Sequence, residues 1–287
     1  MYRVYTPQKK TKHKKRTWPL YLLLVVIVGV GAWLWWPSTP DKGTDKRAPE
    51  QSNQKSEESK KPVRVNLQPV IDQWVAGQGG DYSIVVYDPD NKATIATHQA
   101  DTQYFTASIY KLYVAYLALM DIEDGVQDPD EVYRGDWTRQ KCIEEMIRSS
   151  NSPCAEAMLA EMGHATVNQR LKDFGLTGTS FPAFMTTAGD SMAILKRLHE
   201  HRELNDSSTN LLLNAMKNQI YREGFPKGMP EATVADKVGF YETGYHDVAI
   251  VTLPNKREYL VAVLSEDARA ADIASLGSII YAKLTEN

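Results

Sequence analysis

The chain has 287 residues, of which 43% are hydrophobic and 24% charged, a composition that suits one large or two small globular domains with appendages. Its formal net charge is only −3, but residues 1–36 carry seven Lys or Arg and no Asp or Glu, whereas residues 66–287 carry 19 Lys or Arg and 31 Asp or Glu. An acidic body repels phosphate backbones, so we expect no nucleic-acid partner.

The N-terminal segment predicts a membrane anchor. Residues 18–36 contain no charged side chain, and a helix of that length spans about 28 Å, close to the hydrocarbon thickness of a bilayer. The basic residues 1–17 precede it, so they should form a cytoplasmic tail and the rest of the chain should be exported, which gives a single-pass protein in the cell membrane. A cleaved signal peptide is the alternative, but bulky Trp35 and Trp36 follow the apolar run where a small-residue cleavage site would lie.

A polar segment follows the anchor. Residues 37–65 are rich in charged residues, Ser and Pro, and cannot bury enough apolar surface to offset the entropy of ordering. This composition predicts a disordered linker, after which a globular domain occupies residues 66–287.

The order of periodic segments in that domain predicts an α+β fold. A helix that carries Leu67, Ile71 and Trp74 precedes two strands, and three strands and a last helix end the chain. We predict strands at 82–87, 93–97, 234–238, 246–253 and 258–264, and helices at 108–122, 138–148, 152–161, 166–173, 189–203, 207–220 and 268–284. The N- and C-terminal segments should then share one antiparallel sheet, with the middle of the chain as an all-helical lobe.

The two cysteines leave two readings open. Cys142 and Cys154 lie on neighbouring predicted helices and could pair in an exported domain, or both could be buried free thiols. No Cys and His spacing typical of a metal site is present, so we expect neither a metal nor another cofactor.

A candidate nucleophile opens the first helix of the lobe. Ser108 is followed three residues later by Lys111, which places both side chains on the same helix face. The residues that follow are apolar, so the lysine should be desolvated, with a lowered pKa that lets it accept a proton. A helix start also offers the backbone N–H of Ser108 to an acyl oxyanion.

Two further motifs follow in order. Ser149-Ser150-Asn151 lies between two predicted helices, and Lys237-Val238-Gly239 lies on a predicted strand. Together with Ser-x-x-Lys at residues 108–111, they resemble the motif set of class A β-lactamases and penicillin-binding proteins. The resemblance covers residues 66–285 and implies the same order of helices and strands as the periodicity.

The resemblance implies roles for the reacting groups. Ser108 would attack a carbonyl and become acylated, Lys111 would act as or assist the base, and Ser149 would relay a proton to the leaving nitrogen. The oxyanion hole would consist of the backbone N–H groups of Ser108 and Phe240.

It also implies roles in substrate binding. Asn151 would orient Lys111 and the substrate amide, Lys237 would attract a substrate carboxylate, and Gly239 would let the substrate approach the strand. The substrates would be β-lactams or D-Ala-D-Ala-type peptides of the cell wall, and we expect the protein to act as a monomer.

The chain departs from the family pattern in three places. Val238 replaces a hydroxyl residue, and Ser150 replaces the usual Asp between the Ser and the Asn. Class A β-lactamases also carry a Glu that activates the deacylating water. Residues 178–188, which correspond to that loop, contain no acidic side chain, so we expect slow deacylation.

The sequence offers two alternatives to this function. A Ser-His-Asp hydrolase built on His246 and Asp247 is disfavoured because neighbours on a strand face opposite ways. A tethered domain that senses or binds β-lactams or cell-wall peptides without turnover fits the missing glutamate as well as an enzyme does. The sequence favours a serine hydrolase.

Overall fold

The computed structural model describes residues 65–286, and its main feature is a sheet built from both ends of that segment. The strands are β1 (Asp81–Asp88), β2 (Ala93–His98), β3 (Tyr104–Phe105), β4 (Val132–Arg134), β5 (Trp137–Thr138), β6 (Met185–Thr186), β7 (Thr233–Phe240), β8 (Tyr245–Thr252) and β9 (Glu258–Glu266). Five of them form the antiparallel sheet in the order β2-β1-β9-β8-β7, so the predicted shared sheet is confirmed.

The helices lie mainly between the two sheet-forming ends. They are α1 (Gln68–Ala76), α2 (Tyr110–Glu123), α3 (Arg139–Arg148), α4 (Ser152–Met162), α5 (His164–Asp173), α6 (Ala188–His199), α7 (Asp206–Lys217), α8 (Phe225–Gly228) and α9 (Ala270–Thr285). The predicted helical lobe is therefore confirmed, although α6 and α7 end a few residues earlier than the periodicity indicated. Both helices end at polar segments, where further turns would bury no apolar surface.

The sheet is covered on both faces, which explains why its strands are almost continuously buried. Side chains alternate along β1: Val85 packs with the helical lobe, whereas Ile84 and Val86 pack with α1 and α9. Val65, at the end of the predicted linker, also packs into this second core.

The central helix of the lobe is α2. Its residues from Tyr110 to Leu119 are all buried, so this helix has no solvent face along most of its length. Packing on every side holds it in one position, and the short 3-10 turn Ala107–Ile109 precedes it. The sequence therefore places Ser108 at the start of a rigid element.

A disulfide joins α3 to α4. Cys142 and Cys154, whose pairing the sequence left open, are bonded with their Cα atoms 5.4 Å apart. The bond closes a loop that contains Ser149, Ser150 and Asn151. The two helices that flank this loop are thereby fixed to each other.

The predicted tail at 1–17 and anchor at 18–36, and the linker except for Val65, lie outside the described residues. Between residues 65 and 286, no helix combines the length and the apolar character required to cross a bilayer.

Removing the disulfide should destabilise the fold. The two cysteines are 12 residues apart in sequence. Without the bond between them, as in Cys142→Ala/Cys154→Ala, the unfolded chain gains conformational entropy, so the free energy of unfolding should fall by about 3 kcal/mol. Urea denaturation of the variant and the native chain measures this difference, and the native chain under reducing conditions is the control. Equal midpoints in all samples would show that the bond contributes nothing to stability.

Candidate active site

Ser108 lies at the junction of the 3-10 turn and α2. Its Oγ accepts a hydrogen bond from Lys111 Nζ at 2.9 Å, and the residue is partly exposed. The preceding Ala107 has a φ of +44°, in the left-handed region that residues with a Cβ seldom adopt. Such strain is typical of functional sites, where the surrounding packing holds a side chain in a required position.

Lys111 is buried among hydroxyl and carbonyl oxygens. Only 1% of its surface is exposed, and its Nζ donates to Ser108 Oγ at 2.9 Å, Ser152 Oγ at 2.9 Å and the Ser150 carbonyl at 2.6 Å. Burial lowers the pKa of Lys111 to about 8, while the charge of Glu156 opposes the shift. The lowered pKa increases the fraction of neutral amine near neutral pH, and the neutral amine can accept the proton of Ser108.

Lys237 reaches the same place from the edge strand β7. It is fully buried, and its Nζ donates to Ser150 Oγ at 3.1 Å and to the Val238 carbonyl at 2.6 Å. Burial and the charge of Lys111 lower its pKa to about 7, against the opposing charges of nearby carboxylates. Ser150 Oγ also lies 3.2 Å from Lys111 Nζ, so this hydroxyl bridges the two amines and can pass a proton between them.

The structure places Ser149, predicted to relay a proton, away from Lys111. Ser149 is the C-cap of α3, and its Oγ donates to Glu145 Oε2 at 2.8 Å rather than contacting Lys111. The next residue, Ser150, has a φ of +57°, which turns its hydroxyl and its carbonyl toward Lys111. The serine that contacts both lysines is therefore one residue later than the sequence indicated.

Asn151, predicted to orient Lys111, caps a helix in the structure. Its side chain accepts from the backbone N–H of Cys154 at 3.0 Å and forms the N-cap of α4. Ser152, which the sequence analysis missed, contacts Lys111 in its place. Asn before a helix with Pro153 in its first turn is a strong capping pattern, and this signal could have corrected the register.

The edge of β7 fits against the start of α2. A Cβ on Gly239 would lie 2.9 Å from the Ser108 backbone nitrogen, so only glycine allows this approach. Val238 is fully buried in the core on the opposite face of the sheet, because side chains alternate along the strand.

The two predicted oxyanion donors belong to neighbours of this contact: Ser108 N lies against Gly239, and Phe240 follows Gly239 in β7. Tyr241 N–H donates to the Gly244 carbonyl across the β7–β8 turn, so the alternation of the ladder directs the Phe240 N–H away from β8. Val238 N–H, which has the same orientation, donates to the Gln219 side chain beyond the edge. The Phe240 N–H thus points away from β8, outward from the β7 edge of the sheet.

An aromatic cluster occupies the loop where an acid would activate water. Phe181 and Phe184 pack edge to face at 5.2 Å, Phe184 lies 5.1 Å from the ring of Tyr110, and His164 stacks on Phe181 at 6.2 Å. Asn168 fixes this arrangement through hydrogen bonds to both backbone groups of Phe181. Tyr110 precedes Lys111, so the cluster forms an apolar side of the site.

Two nearby carboxylates are engaged elsewhere, whereas Glu156 is exposed and acts on Lys111 through its charge alone. Asp190 accepts from Thr179 Oγ1 at 2.7 Å in the first turn of α6, and Glu145 pairs with Arg148 at 2.9 Å. Within residues 65–286, no carboxylate hydrogen-bonds Ser108 or Lys111, and no three His, Cys, Asp or Glu side chains group in a way that could hold a metal ion.

His246 forms structural hydrogen bonds and is not part of a Ser-His-Asp triad. Its Nε2 bonds to the Phe105 carbonyl at 2.7 Å, and its Nδ1 accepts from the Ser265 N–H at 3.1 Å. Burial lowers its pKa to about 4, so the ring is neutral. Both ring nitrogens are therefore used to fix the strand that leads to Ser108.

The geometry agrees with the comparisons to known proteins. The family model described as "Beta-lactamase enzyme family" matches residues 66–284. The chain belongs to the β-lactamase enzyme family. A search of curated protein sequences gives no match.

Solved structures show the same fold. PBP-A has a TM-score of 0.71 at 18% identity, with 77% of this chain and 96% of that chain covered. A mutant of PBP-A, solved as its acyl-enzyme complex with penicillin G, gives 0.71 at 19% identity over 77% and 97% of the two chains. The putative class A β-lactamase PenP from Rhodopseudomonas palustris gives 0.68 at 19% over 75% and 98%. At these identities the likeness concerns the fold.

Substitution of Ser149 and Ser150 in turn should show which of the two serines takes part in acylation. Ser150→Ala removes the hydroxyl between Lys111 and Lys237, so acylation by a fluorescent penicillin should slow by about 100-fold or more. Ser149→Ala is the matched control and should change the acylation rate little. Samples quenched at set times and separated on a gel give both acylation rates from the fluorescence of the protein band. A large fall in the acylation rate of Ser149→Ala, without one in Ser150→Ala, would return the proton-relay role to Ser149.

An added methyl group at Gly239 should disturb the oxyanion donors. Gly239→Ala would push the Ser108 backbone away, so acylation should slow by about 10- to 100-fold. Gly79→Ala is the control, because a Cβ there meets no atom within 4 Å. The thermal midpoints of the two variants are compared first, to show that both are folded. The same fluorescence assay then measures their acylation rates, and equal rates would contradict a role of the Gly239 contact in acylation.

Proposed function

We propose that the protein is a membrane-anchored serine hydrolase that acts on β-lactams or D-Ala-D-Ala-like peptides through an acyl-serine intermediate that hydrolyses slowly. The observation that carries the proposal is the buried amine of Lys111, 2.9 Å from Ser108 Oγ and with a lowered pKa. A serine hydroxyl becomes a nucleophile when a base of suitable pKa is within hydrogen-bond distance.

The acylation step uses groups from three segments. Neutral Lys111 takes the proton of Ser108 as Oγ attacks the carbonyl carbon, and the oxyanion forms between the N–H groups of Ser108 and Phe240. Ser150 donates its proton to the leaving nitrogen and is reprotonated from Lys111. Lys237, when charged, attracts the carboxylate of the substrate, and Gly239 leaves room beside the strand.

Slow deacylation follows from the surroundings of Ser108. Hydrolysis of the ester requires a base that activates water. Residues 178–188 carry no carboxylate, and the cluster of Phe181, Phe184 and Tyr110 lines this side with apolar surface. Lys111 would have to serve both half-reactions.

A second candidate function is a non-turnover binding module or sensor. The absence of an acid in contact with Ser108 or Lys111 among the described residues favours it. A sensor would be acylated once, whereas a peptidase or lactamase would release product and react again.

The proposed location is the outer side of the cell membrane. The basic residues 1–17 and the apolar residues 18–36 support a single-pass anchor with a cytoplasmic N-terminus. The bond between Cys142 and Cys154 supports an oxidising compartment for the catalytic domain, because disulfides seldom persist in the cytosol.

Time-resolved intact mass measurement tests the proposal. The full-length chain in detergent, incubated with a fluorescent penicillin, should gain the mass of one acyl group that persists for many minutes. Ser108→Ala should gain none. Rapid loss of the adduct with consumption of penicillin would contradict slow deacylation, and the absence of any adduct in the native chain would overturn the β-lactam part of the proposal.

A further inference from the structure

A glutamine side chain covers part of the outer edge of β7. Gln219, the second residue after α7, is only 3% exposed. Its Nε2 donates to the Asp236 carbonyl at 2.6 Å, and its Oε1 accepts from the Val238 N–H at 3.2 Å. These two backbone groups would pair with a further strand if the sheet continued, so the amide takes the place of that strand.

The residue between these two bonds is Lys237. Its Nζ donates to Ser150 Oγ at 3.1 Å, so the lysine enters the candidate active site from the part of β7 that Gln219 contacts. On its other side the same part of β7 pairs with β8, where Lys237 lies opposite Val248. Both sides of the strand are therefore hydrogen bonded at the position of the lysine.

The segment of Gln219 also contacts the loop that carries Ser150. The N–H of Ile220, the next residue, donates to the Arg148 carbonyl at 2.9 Å. Arg148 is the last residue of α3 and lies two positions before Ser150. Gln219 and Ile220 thus connect the two segments that the hydrogen bond between Ser150 and Lys237 joins across the site.

The environment of the Gln219 side chain requires an amide. Its Nε2 also donates to Asp236 Oδ2 at 3.0 Å, and Arg222 donates to the other oxygen of this carboxylate at 2.6 Å. Nε2 therefore faces two oxygens, whereas Oε1 faces the Val238 N–H. A carboxylate would lack the donor and an apolar side chain would lack both groups.

We propose that Gln219 is a positioning residue for the acylation of Ser108 and that it acts through Lys237. The inference rests on the proposed function, because acylation is the reaction that it serves. The amide keeps Lys237 Nζ within hydrogen-bond distance of Ser150, the hydroxyl that donates to the leaving nitrogen. Without the amide, two buried backbone groups of β7 would lack partners. A displacement of about 1 Å in a reacting site can slow the reaction by about 100-fold.

The opposite edge of the sheet offers a matched control. Gln68 pairs with both backbone groups of Thr97 in the outer strand β2, where Nε2 donates to the carbonyl at 2.9 Å and Oε1 accepts from the N–H at 2.8 Å. Gln68→Met and Gln219→Met therefore remove equivalent hydrogen bonds from the two edges. Of these two edges, only β7 carries residues of the candidate active site.

The first test measures acylation by a fluorescent penicillin with full-length chains in detergent. Gln219→Met should slow acylation by about 10- to 100-fold, and Gln68→Met should change it by about twofold or less. In a Lys237→Ala background, Gln219→Met should add a further effect of about twofold or less, because the group that it positions is absent. Thermal midpoints of all chains show which variants are folded.

A second test uses a response that a general loss of stability would not produce. In Gln219→Glu the introduced carboxyl keeps an acceptor for the Val238 N–H, and only its protonated form can donate to the Asp236 carbonyl. The acylation rate of this variant, divided by that of the native chain at the same pH, should therefore rise as the pH falls. This ratio decides the matter if Gln219→Met does not fold or Lys237→Ala is not acylated.

Three results would overturn the inference alone. They are equal slowing by Gln219→Met and Gln68→Met, equal slowing by Gln219→Met with and without Lys237, and a rate ratio for Gln219→Glu that stays constant with pH. The absence of acylation in the native chain would overturn the proposed function and the inference together, so the two failures are distinguishable.

Discussion

The site depends on a buried amine that is satisfied without a carboxylate. Lys111 has lost almost all contact with water, and the desolvation of its charge is offset by the oxygens of Ser108, Ser150 and Ser152. Neutral oxygens stabilise an ammonium less than a carboxylate would, so the pKa stays low enough for the amine to exchange a proton near neutral pH. A carboxylate in contact would have made Lys111 a permanent cation.

The same amine joins parts of the chain that are distant in sequence. Ser108 lies at the start of α2, Ser150 and Ser152 lie between α3 and α4, and Lys237 reaches Ser150 from β7. Each part is held by its own constraint. The burial of α2 from Tyr110 to Leu119, the disulfide between α3 and α4, and the close approach of Gly239 to Ser108 hold these hydrogen bonds in place.

Much of this arrangement could be predicted because it depends on local periodicity. The i, i+3 spacing of Ser108 and Lys111 places them on one helix face, and alternation along β7 and β8 predicts paired strands. Motif matching could not decide which of Ser149 and Ser150 contacts the lysines. That choice depends on the positive φ of Ser150, which turns its side chain toward Lys111. Capping chemistry at Asn151 contained the missing information.

Features assembled from separate segments were beyond prediction. The aromatic cluster joins α2, α5 and the loop after it, and Gln219 joins the segment after α7 to β7. The spacing of these residues along the chain does not indicate that they are in contact in the fold. Their juxtaposition follows from the topology of the sheet, which only the structure shows.

That topology also bears on how the molecule is made. In the order β2-β1-β9-β8-β7, the first hairpin is joined to the rest of this sheet only through β9, which is synthesised after β7 and β8. Contacts between sequence-distant strands form slowly because a long loop must close first. Ser108 is therefore synthesised long before the edge strand that completes its site, and a nascent chain that has not yet made β9 has no assembled centre at which Ser108 could be acylated.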